Sequence, residues 1–101
     1  MARILRQDAE RLLGEVPGEK TFWVCDGRGL KSMQDLQEAL VEMAEETFSY
    51  HCNGDKSDFS AWVNDVLGDE KLARDLSKST NAPMAAKSVS ARIAFLDAKL
   101  V

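Results

Sequence analysis

Apolar residues recur at three- and four-residue steps through most of this chain, the spacing that builds one face of an α-helix. Phe59, Trp62, Val63, Val66 and Leu67 form the best-defined stripe, with Asn64 and Asp65 outside it. Ahead of it, Asn53-Gly54-Asp55 is turn chemistry, because Asn and Gly tolerate positive φ. Ser57 or Asp58 can then accept a hydrogen bond from the free amides of the first helical turn. Gly68 suits a left-handed stop, and Asp69 can cap a following helix whose apolar positions are Leu72, Ala73 and Leu76.

The same periodicity predicts further helices on either side. Ile4, Leu5, Ala9, Leu12 and Leu13 mark a short amphipathic helix over 3–14, stopped by Gly14. Ser32, with Asp35 three residues on, has the form of a capping box. It opens a helix carrying Met33, Leu36, Ala39, Leu40 and Met43. Glu45 and Glu46 suit the positive end of another helical turn, which carries Phe48. Val89, Ile93, Leu96 and Leu100 make a terminal stripe. The alternative signal is the run Thr21–Cys25, β-branched and aromatic, followed by Asp26-Gly27. An Asp-Gly pair after such a run predicts a hairpin in which both turn residues take positive φ.

These elements predict a mainly α fold, a compact bundle of four or five short helices with a small β-hairpin near residues 21–31. The division expected is an N-terminal helix or arm (1–19), a core domain (20–77), a linker (78–87) and a C-terminal helix (88–101) packing on or near the core. The linker rests on the composition of Ser77–Pro83. The expected core is Phe22, Leu36, Leu40, Met43, Phe48, Phe59, Trp62, Val63, Val66, Leu72 and Leu76.

With 101 residues the chain supports one modest core, and 45% hydrophobic with 30% charged residues places it among ordinary globular proteins. A net charge of −4 argues against nucleic-acid binding through phosphate neutralisation. The charge is uneven: residues 32–76 carry eleven acids against three bases, whereas residues 77–101 carry four bases against one acid. A basic tail folding over an acidic middle is one expected consequence, and an acidic surface that meets a basic partner is another. No stretch approaches the roughly 20 apolar residues of a membrane span, and Asp8 and Glu10 interrupt any secretory pattern. The expectation is a cytoplasmic protein with Cys25 and Cys52 as reduced thiols.

Candidate chemistry centres on the single histidine. His51 with Cys25 or Asp58 could serve a small enzyme or a metal site. Zinc sites usually show paired ligands such as CxxC or HxxxH, and the chain has neither. Adjacent residues of a helix point about 100° apart, so His51 cannot simply activate Cys52. Asn53–Asp58 lacks the alternating ligands and twelfth-position glutamate of a calcium loop. GxGxxG, GxxxxGK[ST] and GxSxG are all absent, so nucleotide and common hydrolase chemistry have no warrant. A structural histidine at a helix end is the simpler reading. The large aromatics Trp23, Phe48, Tyr50, Phe59 and Trp62 read as core, with Trp23 the best exception on its short hairpin.

The segment from Phe22 to Ala73 also resembles a family of small uncharacterised prokaryotic domains, grouped as a domain of unknown function. The residues carrying the resemblance are Asp26–Ser32, Leu36, Ala39-Leu40, Met43, Phe48, Tyr50-His51 and, most specifically, FxxWVxDVxGDExLA over Phe59–Ala73. It covers about residues 20–77. It implies a shared fold and no assigned reaction. Cys52-Asn53-Gly54 and Ser57 depart from the Asn and Asp expected of relatives there.

The functional expectation is a non-catalytic interaction or accessory module without cofactor or metal. Its binding edge would comprise Trp23, Tyr50, His51, Asn53, Asp55 and Asp58. A protein partner is expected, with no nucleic acid and no membrane. Homo-oligomerisation through Leu12-Leu13 and Val89–Leu100 is a further option.

Overall fold

Capping side chains and one left-handed glycine cut the described residues of the computed structural model, 5–53 and 56–100, into six helices. Helix α1 spans Arg6–Leu13 and opens where the Leu5 N–H donates to the Asp8 carboxylate at 3.2 Å. Ile4, assigned to this helix by its spacing, lies outside the described residues. A single 3₁₀ turn, Gly18–Lys20, leads into strand β1 (Phe22–Trp23), which pairs antiparallel with β2 (Gly29–Leu30).

This hairpin sits where the Asp-Gly signal put it, but its turn differs. Gly27 takes φ +101°, while no described non-glycine residue, Asp26 included, has positive φ. The Gly27 N–H closes on the Val24 carbonyl at 2.8 Å, and the Asp26 carboxylate accepts the Arg28 N–H. This is the longer hairpin connection ending in a left-handed glycine, not the two-residue turn. Arg28 donates to Glu42 at 2.7 Å, and that hydrogen bond holds the guanidinium pKa above its ordinary value.

Helix α2 (Met33–Glu42) begins at Ser32, whose hydroxyl accepts the Asp35 N–H at 3.1 Å. The Asp35 carboxylate accepts from the Lys31 N–H rather than from Ser32, so the reciprocal capping box is not closed. Helix α3 (Glu45–His51) runs into a second small hairpin, β3 (Cys52–Asn53) with β4 (Lys56–Ser57). The sequence pattern predicts only a polar loop here. Two-residue strands are too short to show a period-2 pattern. The turn residues Gly54 and Asp55 lie outside the described residues.

Helix α4 (Asp58–Trp62) is capped by the Ser57 hydroxyl and continues as a π-helical turn over Val63–Leu67. The Gly68 and Asp69 N–H groups both close on the Val63 carbonyl, at 2.8 and 3.2 Å. One extra residue in the turn rotates the side chains beyond it about the helix axis. Leu67 is therefore buried while Val66 is only half-buried. Gly68 stops the helix at φ +80°, and Asp69 caps α5 (Glu70–Ser77) by accepting the Leu72 N–H at 3.1 Å.

The expected linker over 78–87 is corrected by the last helix, α6 (Ala82–Asp97). The Asn81 side chain accepts the Met84 N–H at 2.9 Å. Pro83 sits in the first turn, where its missing N–H costs nothing. Ser, Asn and Pro there are helix-start chemistry, so only 78–81 form the corner.

One apolar core draws on all six helices. Leu36, Leu40, Phe48, Phe59, Trp62, Val63, Leu72 and Leu76 are buried as expected, joined by Leu30, Met33 and Leu67. Phe22, Met43 and Val66, expected within it, pack half-buried at its margin. Ala9 and Leu12 of α1, and Val89 and Leu96 of α6, complete the same core. These two stripes are thus covered by the chain itself. Inside the core Arg92 and Asp69 form a bidentate ion pair, at 2.7 and 3.0 Å. Cys25 and Cys52 are free thiols. Among the described residues no helix is long and apolar enough to cross a membrane.

Candidate functional site

His51 is the last residue of α3 and is only 5% exposed. Its ring lies 5.2 Å from Phe22 and 5.3 Å from Phe59, centroid to centroid. Nε2 accepts the backbone N–H of Cys25 at 3.0 Å, and Nδ1 lies 3.0 Å from the Asp58 carboxylate. A backbone N–H can only donate, so Nε2 carries no proton and Nδ1–H donates to Asp58. The imidazole is a cross-brace between the first hairpin and the start of α4.

The geometry brings the His51 ring, the Cys25 main chain and the Asp58 carboxylate together. A His–Asp pair orients a general base only if Nε2 is free to take a proton from substrate. Here Nε2 is occupied by a backbone amide and screened from solvent. Cys25 meets the ring through its main chain, and the Cys52 thiol faces the Ser79 carbonyl at 3.7 Å. Among the described residues no three His, Cys, Asp or Glu side chains are grouped to hold a metal ion.

The remaining predicted site residues divide. Trp23 is 67% exposed and Tyr50 63%. Trp23 fits the exception made for it, whereas Tyr50 departs from the core reading of the aromatics. Tyr50 packs edge-on against the His51 ring at 4.9 Å, and the Lys56 ammonium lies 5.6 Å from its ring centroid. Trp23 is held by its cross-strand neighbour: a Cβ on Gly29 would come within 3.0 Å of the indole. The absent side chain at 29 gives the ring a seat. Asn53 is exposed on β3, Asp58 is half-buried, and Asp55 lies outside the described residues.

Sequence reading missed a second surface. A groove of about 590 Å³ runs between α5 and α6, with Met84 and Phe95 on its apolar side. The available signal was a second, mixed stripe on α6 with an apolar residue at each end, hidden while 78–87 read as linker.

No protein-family model, curated protein or solved structure matches this chain. The residues of the FxxWVxDVxGDExLA segment have local structural tasks of their own. Phe59, Trp62, Val63, Leu72 and Ala73 fill the core, Gly68 supplies the left-handed turn, and Asp69 caps α5 while pairing with Arg92.

Proposed function

We propose that the chain is a non-catalytic interaction or accessory module whose contact surface is the edge carrying Trp23 and Tyr50. The observation supporting this most directly is the exposure of both aromatic side chains on elements tied to the core by His51. Large aromatics placed in water and kept rigid suit protein recognition, since little side-chain entropy is lost when they are covered. The proposal includes a cytoplasmic location and kinship with small domains without an assigned reaction.

The test is a cross-linking pull-down comparing the wild-type chain with Trp23→Ser/Tyr50→Ser. A partner recovered by the wild type and by Met84→Ala, but lost with the double variant, supports the proposal. Equal recovery by all three, or no partner at any salt concentration, overturns it.

The 3.0 Å contact between His51 and Asp58 keeps a second reading in play, a small enzyme or metal-binding protein using His51 with Cys25 or Asp58. Stoichiometric metal after native purification, lost in His51→Asn, would favour it over the first.

A further inference from the structure

Helix α6 has one apolar face and a second, mixed face with an apolar residue at each end. The first, with Ala85, Val89 and Leu96, is buried against the rest of the molecule. The other carries Met84, Ser88, Ala91 and Phe95, all lining the groove beside α5. These four residues are spaced four, three and four apart, the a/d seam of a coiled coil. Met84 and Phe95 remain 46% and 44% exposed, so the chain itself does not cover the ends of that seam. The seam spans about 16 Å, or three helical turns. Its two middle residues are small and would let another helix approach closely.

The charges beside the seam that lack an acidic partner are lysines. Lys87 occupies a flanking heptad position, where coiled coils choose their partners, and Lys99 follows just past the end of α6, whereas Arg92 is neutralised by Asp69. Arg92 and Lys99 lie 5.1 and 5.0 Å from the Phe95 ring centroid. Asp75, the acid lining the groove, is paired with Lys71 at 2.7 Å. A cationic rim on a chain of net charge −4 stands out against the rest of the surface.

We propose that the α5–α6 groove is a docking site for an acidic amphipathic helix of another protein, seated on Met84 and Phe95 and held by glutamates opposite Lys87 and Lys99. None of these residues belongs to the Trp23–Tyr50 edge, so either surface can fail its test without the other.

The probe is a synthetic helical peptide of about 18 residues with Leu at a and d and Glu at the flanking positions. A second peptide carries Lys in place of Glu. NMR titration of the full chain reads both affinity and location. The expected result is saturable binding of the Glu peptide alone, with shifts confined to residues 71–99. Lys87→Glu/Lys99→Glu should weaken that peptide about tenfold or more and create binding of the Lys peptide. Equal binding of the two peptides to the wild type overturns the proposal. So do shifts centred outside the groove, an unchanged affinity in the charge-reversed variant, or self-association through this face seen by sedimentation.

Discussion

Arg92 closes on Asp69 through two hydrogen bonds, Nε–Oδ2 at 2.7 Å and Nη2–Oδ1 at 3.0 Å, in a site almost without solvent. The same carboxylate accepts the Leu72 N–H, so one side chain caps α5 and anchors α6. Asp69→Ala removes both and leaves a buried guanidinium unpaired. It should cost about 3–5 kcal/mol in urea unfolding. Arg92→Met leaves the aspartate beside the positive end of α5, where it still caps, and should cost clearly less. Equal losses would show that the ion pair, not the cap, dominates.

His51→Phe keeps a ring among Phe22 and Phe59 but removes both hydrogen bonds. The Cys25 N–H loses its acceptor, at a cost of about 1–3 kcal/mol. The loss should also be local. Hydrogen exchange at the Cys25 amide should accelerate well beyond that of the amides of α6. Uniform acceleration across the chain would mean that the imidazole supports the whole core rather than one hairpin.

Leu96→Ala should destabilise as much as Leu40→Ala, about 2–5 kcal/mol each, because both side chains are fully buried. Deleting residues 82–101 should abolish cooperative unfolding followed by circular dichroism. A truncated chain that still unfolds cooperatively would show that residues 1–81 fold without α6.

Gly68→Ala meets two obstacles, a φ of +80° and Arg11 Nη1 at 3.3 Å from the new methyl group. The expected cost exceeds about 1 kcal/mol. Gly18→Ala, with nothing within 4 Å, is the control and should change thermal stability little.

The parts of the fold legible in the sequence were those set by local chemistry. Ser32, Ser57 and Asp69 act as helix caps, and Gly68 stops its helix, because each task needs only a few neighbouring residues. The π-helical turn was not legible, since one added residue in a helix leaves the hydrophobic spacing almost unchanged. The second hairpin was too short to leave a pattern. Ser77–Pro83 carried two meanings, linker composition and helix-start chemistry, and only tertiary packing chose between them. For the candidate site, the sequence brought His51, Cys25 and Asp58 to notice. It could not tell that a main-chain N–H, rather than a thiol, would take the imidazole's free nitrogen.

The glycine seat under Trp23 has a practical consequence. The other tryptophan, Trp62, is 7% exposed and donates its indole N–H to the Lys20 carbonyl at 2.9 Å. The two indoles therefore sample opposite environments, one polar and quenchable by iodide, the other dry. Intrinsic fluorescence can then separate two events without any label. Covering the hairpin edge should blue-shift the first emitter alone, whereas unfolding should red-shift the second.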